Sequence, residues 1–354
     1  PTNDNYRVLD NLFVEYKFTD WLKFRFNGGI DMVYSEDKAF MPLFSDGGQT
    51  NNQNSYSENR QKEFMWVTDY LLYFDKVFGK HTINAMGGFS QQLFSKDNLK
   101  GVVKDFVSEV DNMHVINGGT NSIDRTLEGG KSQLALASWF GRVNYDYAGR
   151  YLFSVNLRAD GSSRFKGDER WGVFPSFSGA WRISEEEFME STHDWLSSLK
   201  IRASWGMLGN QDALNKSNPW ENQYYPWMQT YNLDGNYPMG GNLTTGYYQK
   251  AYRIEDLSWE KSTTWGIGLD AIINHVTFTF DYYDRKTTDI IMEVPVPTEF
   301  GLDPYFDNVG SMRNRGVEVQ LGYNNKWNDW SLNVMGNMAY NKNKICLLYT
   351  SPSP

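Results

Sequence analysis

The stretch WGIGLDAIINHVTFTFDY, Trp265 to Tyr282, changes character at every step. Trp265, Ile267 and Leu269 fall on one side of an extended chain, and Gly266, Gly268 and Asp270 fall on the other. After a tight turn at Ile273-Asn274, Phe278 and Phe280 alternate with Thr279 and Asp281. Successive side chains of a strand point to opposite faces, so the stretch reads as a hairpin with one oily and one polar face. A helix would scatter the same side chains around its circumference.

The same period recurs outward in both directions. Leu22, Phe24, Phe26, Ile30 and Met32 alternate with Lys23, Arg25, Asn27 and Asp31, and Trp330, Leu332, Val334 and Met338 alternate with Ser331, Asn333 and Asn337. Twelve strands are expected, at 8–18, 21–34, 62–75, 81–94, 132–147, 150–160, 171–182, 198–209, 260–272, 275–291, 310–323 and 329–341. Most exceed the ~5 to 6 residues usual in soluble sheets. About 11 residues at ~3.3 Å each, tilted by ~40 to 45°, cover ~25 to 28 Å, the height of the apolar band of an outer-membrane barrel.

The connections alternate as well. Tight turns at Thr19-Asp20, Lys76 to Lys80, Ala148-Gly149, Ile273-Asn274 and Asn324 to Asp329 interleave with long segments at 35–61, 95–131, 210–259 and 292–309. Short turns at one end and long loops at the other are the habit of outer-membrane barrels. A sheet in hydrocarbon must also close on itself, because each unpaired edge group costs several kcal/mol. The expected fold is therefore all-β, a transmembrane antiparallel up-and-down β-barrel. Trp265, Ile267, Leu269, Phe278, Phe280, Val317, Val319 and Leu321 are expected to face lipid, and Gly268, Asp270, Thr279, Asp281, Glu318 and Gln320 a wet lumen. Trp139, Tyr145, Tyr147, Tyr151, Trp171, Trp327 and Trp330 crowd strand ends, where interfacial girdles sit.

Composition agrees. The 354 residues are 40% hydrophobic and 16% aromatic, yet their mean hydropathy is -0.59. No apolar run approaches the ~18 residues of a membrane helix. A net charge of -9 argues against a nucleic-acid partner, which would call for a basic patch. The single cysteine, Cys346, excludes an internal disulfide and a cysteine-cluster metal site. Residue 1 is Pro with no signal-peptide pattern after it, and Cys346 to Pro354 (CLLYTSPSP) abandons the preceding alternation. Residues 1–345 are accordingly expected to be barrel and 346–354 a foreign tail. Two places fit less neatly. Ser184 to Glu187 has a capping-box pattern that predicts about one helical turn. Pro175 lies inside a strand, where a bulge or an early strand end is expected.

Several strings resemble the SusC/RagA family of TonB-linked outer-membrane transporters: VNYDYAGRYLFSVNLRADGSSRF (Val143 to Phe165), RWGVFPSFSGAWRISEEEFM (Arg170 to Met189), LKIRASWGMLGNQ (Leu199 to Gln211), DLSWEKSTTWGIGLD (Asp256 to Asp270), FDYYDRKTTDII (Phe280 to Ile291) and NVGSMRNRGVEVQL (Asn308 to Leu321). The resemblance spans almost the whole chain to Ile345. It implies a plugged barrel of about 22 strands, the class of outer-membrane transporters, with this chain a little over half of it. Signal peptide, energy-coupling box, plug and the first and last strands would lie outside. It further implies import of oligosaccharides or peptides, a SusD-like surface lipoprotein as lid, and energy from the TonB complex.

No enzyme site, cofactor site or metal site emerges. His81, His114, His193 and His275 are isolated from one another, and His81 and His275 read as solvated turn residues. Asp160 to Ser163 lacks the spacing of a calcium loop and reads as a strand end and turn. The candidate binding feature is the segment Asn210 to Leu257, with Trp220, Tyr224, Tyr225, Trp227, Tyr231, Tyr237, Tyr247 and Tyr248 among Asn, Gln and Gly. Aromatic faces beside amides suit sugars, the same residues suit a protein interface, and they also suit self-packing within a folded loop. Ser35 to Gln61 reads as a mobile surface loop. The lumenal charges Lys23, Arg25, Asp31, Asp69, Asp270 and Asp281 are of both signs, which points to no strongly charged cargo. Two alternatives stand beside the importer: a passive outer-membrane porin, and a soluble or surface glycan-binding β protein with shorter strands and both sheet faces buried.

Overall fold

A computed structural model describes residues 1–212, 224–228, 231–232, 235–249 and 256–348. The strands are β1 (Thr2–Thr19), β2 (Leu22–Met41), β3 (Phe44–Asp46), β4 (Gln49–Asn51), β5 (Ser55–Phe78), β6 (His81–Lys104), β7 (Thr126–Tyr147), β8 (Tyr151–Ser162) and β9 (Trp171–Arg182). They continue as β10 (Leu196–Asn210), β11 (Tyr231–Asn232), β12 (Tyr237–Met239), β13 (Asn242–Thr244), β14 (Tyr248–Gln249), β15 (Glu260–Ile273), β16 (Val276–Val294), β17 (Tyr305–Trp327) and β18 (Trp330–Leu348). Twelve of them form one sheet in the order β1-β2-β5-β6-β7-β8-β9-β10-β15-β16-β17-β18. Each strand lies beside its predecessor in that series, a meander, as the alternation required. No described helix is long and apolar enough to cross a membrane, which says nothing of strands.

Tight turns join the strands at one end. Positive φ falls on Gly79, on Ala148 and Gly149, on Asn274 and on Asn328. Turns of that hand match the right-handed twist of the flanking strands, and Gly and Asn reach it at least cost. Connections at the other end are built differently from the expectation. Residues 35–41 and 55–61 belong to β2 and β5, residues 95–104 to β6 and 126–131 to β7, so the long loops shrink and β5 and β6 reach 24 residues each. The alternation vanishes there because both faces are polar. Arg60 of β5 pairs across to Glu36 of β2 at 3.0 Å instead, while Lys38 pairs with Glu36 within β2 and Arg60 with Glu58 at 2.6 Å within β5. Likewise β16 runs on to Val294 and β17 starts at Tyr305, inside the expected loop 292–309.

Three smaller expectations are also corrected. Pro175 makes no bulge: β8 and β9 pair without interruption, Leu157 opposite Pro175. The β9–β10 pairing stops at Ser176, so the proline stands just beyond that ladder. The segment after β9 forms two short 3-10 turns, Ile183–Glu185 and Glu187–Thr192, and neither has a side-chain cap bond, so Ser184 is not a capping residue. The nominal loop 35–61 is anchored: Asn54 and Tyr56 are 3% and 4% exposed.

Contacts divide the chain into two compact units, one of Pro1–Glu15, Arg25–Tyr70 and Ser90–Leu136, the other of Tyr16–Phe24, Leu71–Phe89 and Ala137–Pro354. The first has a small core of Tyr56, Val103 and Phe106, packed by Phe40 and Ile116. Asn54 locks it by accepting from the Phe106 N–H at 2.7 Å and donating to the Phe106 carbonyl at 3.1 Å. His114 stacks on Phe40 with ring centroids 3.7 Å apart. The second unit has a core of Phe165, Phe174, Leu257, Trp259 and Ile291, packed by Met207 and Phe306.

Candidate functional site

Register decides which side chains share a face, because residues directly opposite in an antiparallel pair point the same way. In the second unit Ile201, Leu269, Phe280, Val319 and Met338 lie in one row across β10, β15, β16, β17 and β18. The next row on that face is Ala203, Ile267, Tyr282, Val317 and Tyr340. Phe278 pairs with Leu321 and Ala271, and Trp265 with Trp205, again on this face. All eight apolar residues singled out from the sequence thus stand on one face, where Trp265, Ile267 and Leu321 are 41%, 50% and 53% exposed and the other five are half-buried.

The opposite face is polar. Arg202, Gly268, Asp281 and Glu318 form one row, and Lys200, Asp270, Thr279 and Gln320 another. The Arg202 guanidinium bridges Asp270 at 3.1 Å and Asp281 at 2.7 Å, and Lys200 approaches Asp270 at 2.9 Å. It does so by lying over Gly268, where a Cβ would come within 2.6 Å of Arg202 Cζ and 2.7 Å of Asp281 Oδ1. Glycine at that point in the oily-polar alternation is what lets the arginine lie flat against the strand. A cavity of about 1090 Å³ opens over this face, lined by Asn84, Asn144, Ser154, Ser204, Asn314 and Glu318 among others. Amides and hydroxyls line it beside apolar side chains, and the charges that line it are of both signs. Such a wall hydrogen-bonds a polar solute without holding one sign of charge.

At the tight-turn end of the second unit, Glu186 collects three donors: the Tyr151 hydroxyl at 2.6 Å, the Trp181 indole at 3.0 Å and Arg150 at 3.2 Å. Tyr151 and Trp181 stack with an interplanar angle of 10°. The bond from Tyr151, followed by that from Trp181, holds the Glu186 carboxyl below its ordinary range. His81 bonds the Tyr145 hydroxyl at 2.7 Å, and His193 the Ser184 carbonyl at 2.8 Å.

At the loop end, strand β8 stops at Ser162 as expected, and the residues after it form a hub that no periodicity announces. Phe165 is fully buried, Leu257 is 1% and Trp259 6% exposed. The Trp259 indole donates to the Arg170 carbonyl at 3.1 Å. Buried Glu260 accepts from Asn210 and from the Ile291 N–H, each at 2.8 Å, and Asn308 both accepts from and donates to the Ser258 backbone. These residues come from five stretches of the chain, around 165–170, 210, 257–260, 291 and 308, so only the three-dimensional structure brings them together.

The aromatic segment divides in two. Tyr224, Tyr225 and Trp227 are half-buried, and the Trp227 indole donates to the Ser163 carbonyl at 3.2 Å. Tyr231 and Tyr248 belong to the β11–β14 pair, and Tyr237 to the β12–β13 pair. There the rings are open: Tyr237 is 48%, Tyr231 57% and Tyr247 74% exposed. Trp220 lies outside the described residues. Among the described residues no group of His, Cys, Asp and Glu is placed to hold a metal.

A family model described as TonB dependent receptor-like, beta-barrel matches residues 2–352. TonB-dependent receptor P3 of Formosa agariphila is 29% identical over 98% of this chain and 33% of its own length. TonB-dependent receptor SusC of Bacteroides thetaiotaomicron is 31% identical over 96% of this chain and 33% of its own length. The chain therefore spans about a third of the curated relatives it matches. A solved structure of the RagAB peptide transporter superposes on 98% of this chain, and on 37% of that one, with a TM-score of 0.84 at 24% identity, a likeness of fold.

Proposed function

The chain belongs to the TonB-dependent receptor-like β-barrel family, a family of receptors rather than enzymes, and from that premise we propose that it is part of the wall of an energised outer-membrane importer of the SusC/RagA type. The single observation that carries the reading is the division of the sheet into an uncovered apolar face and a polar face with mixed charges, kept in register from strand to strand. A water-soluble protein seldom leaves so wide an apolar surface open. In a membrane the same surface is solvated by acyl chains, and Trp265, Ile267, Leu269, Phe278, Phe280, Val317, Val319 and Leu321 are the residues assigned to them. The polar face, with Arg202, Asp270 and Asp281, borders the conduit.

The cargo is an oligosaccharide or a peptide. The amide-rich polar wall suits either one, and the likeness to a peptide transporter keeps peptides in view. A SusD-like surface lipoprotein and the TonB complex complete the machine. The exposed tyrosines of residues 231–249 favour recognition of cargo or lipoprotein over self-packing, since 41 to 74% of their surface is open. A passive porin fits the family less well, and a soluble glycan-binding sheet would have shorter strands with both faces covered.

Uptake tests this reading. Deleting the parent gene is expected to abolish growth on one glycan or peptide source, with growth restored by the intact gene. Unchanged growth on every candidate nutrient contradicts it.

A further inference from the structure

We propose that Arg164 is a positioning residue whose buried guanidinium moors the aromatic segment beginning at Gln211 to the end of β8. Its side chain is only 6% exposed, yet it reaches a chain segment nearly fifty residues downstream. Nη1 donates to the Gln211 carbonyl at 2.9 Å and to the Asp212 carboxylate. Ser162, 1% exposed, accepts from the Arg164 N–H at 3.2 Å and so fixes the backbone from which the guanidinium departs. Next to it Ser163 offers its carbonyl to the Trp227 indole, and Phe165 buries itself against Leu257 and Trp259. Four consecutive residues, Ser162 to Phe165, therefore organise the start of the aromatic segment, a point within it and its return to the sheet.

The attachments differ in kind. Phe165 is held by apolar packing and closes the core. Arg164 is held by directional bonds to partners at the surface: the Asp212 side chain is 72% exposed. Arg164 Nε and Gln211 Oε1 are buried without hydrogen-bond partners. Two unsatisfied polar atoms weaken a contact that the other bonds strengthen, which suits a tether that fixes orientation more than one that closes a core. A buried, charge-assisted donor to a backbone carbonyl sets direction as well as distance. It fixes the direction in which the chain leaves β10 at Gln211 and Asp212. The mooring deepens the recognition role assigned to that segment above, but it is a claim about the tether and stands or falls separately.

The test uses the complete transporter with Arg164→Gln, Arg164→Lys, Asp212→Asn and the double variant Arg164→Gln/Asp212→Asn. Trypsin nicking between Asp212 and Leu257 is followed beside the heat-modifiable gel band of the folded barrel and the cargo concentration for half-maximal uptake. Arg164→Gln is expected to speed nicking about tenfold, the worth of one charge-assisted bond, with the barrel band unchanged. Arg164→Lys recovers part of that loss, and adding Asp212→Asn to Arg164→Gln changes nothing further. Nicking equal to the parent's in Arg164→Gln, or additive effects in the double variant, overturns the mooring. Should Arg164→Gln weaken the barrel band itself, Asp212→Asn decides, since it alters only the exposed partner: faster nicking upholds the mooring and unchanged nicking overturns it. Faster nicking with unchanged uptake upholds the mooring and contradicts the recognition role.

Discussion

Ile267 and Phe165 are both large apolar side chains in the same compact unit, and they meet opposite fates. Ile267 leaves half of its surface open, in a row with Tyr282 and Val317, while Phe165 is wholly enclosed by Phe174, Leu257, Trp259 and Ile291. In a protein bathed only in water the first arrangement forfeits the gain of ~25 cal/mol for each Å² of apolar surface removed from solvent, and the second collects it. The pairing makes sense if the two regions fold in different solvents. Around Phe165 the chain makes its own interior. Along Ile267, Phe280 and Val319 it makes none, as the lipid-facing placement proposed above would allow.

Substitutions can break or sharpen that contrast. The largest effect is expected at Phe165→Ala, where loss of a fully enclosed ring from a small core costs ~3 to 5 kcal/mol. Hydrogen exchange is expected to rise locally, at residues 162–170 and 257–260, with the sheet still protected; exchange that rises across the sheet would mean the core is not a local one. Next comes Phe280→Arg, expected to cost ~2 to 4 kcal/mol in bilayers. Thr279→Arg, one residue along and on the other face, costs under ~1 kcal/mol because a lumenal charge keeps its water. Equal costs at the two positions, measured by denaturant titration of the complete protein in vesicles, would erase the contrast. Asp281→Asn ranks third: it removes one of two carboxylates from a half-exposed Arg202, which keeps Asp270, and costs ~1 kcal/mol or less in the same titration.

The smallest effect is a pH dependence at Glu186. Its carboxyl is held below the ordinary range, first by the Tyr151 hydroxyl and then by the Trp181 indole, so the stabilisation is in full force above the usual carboxylate pKa. It is lost as pH falls past the usual carboxylate range and through the lowered value. The fluorescence of Trp181 is expected to shift in that window, and Glu186→Gln is expected to abolish the pH dependence. A shift that persists in the glutamine variant assigns it to another group.

The same contrast explains what could be read from the sequence. Where one face is oily and the other polar, the strand announces itself: β9 was expected at 171–182 and spans Trp171–Arg182, and β15 differs from its expected bounds by one residue. Where both faces meet water the signal disappears, and Ser55 to Gln61, with Glu58 and Arg60 among polar neighbours, looks like a loop though it is the first part of a 24-residue strand. Pro175 misled for another reason. The expected cost was a lost ladder bond, but pairing with β10 already stops at Ser176. The apolar and polar faces of β15, β16 and β17 were legible through the middle of each strand, since register only had to preserve a period of two. The hub around Arg164 was not, because Phe165 meets Trp259 across more than ninety residues of chain and no local pattern records such a meeting.

The most direct measurement of the central claim is solvent accessibility at Phe280 and Thr279. Each position would carry a single spin label in the complete protein reconstituted in phospholipid vesicles, with Cys346 replaced. The label at 280 is expected to collide freely with dissolved oxygen and hardly at all with a water-soluble nickel chelate, and the label at 279 to do the reverse. Nickel access at 280 equal to that at 279 would contradict that claim.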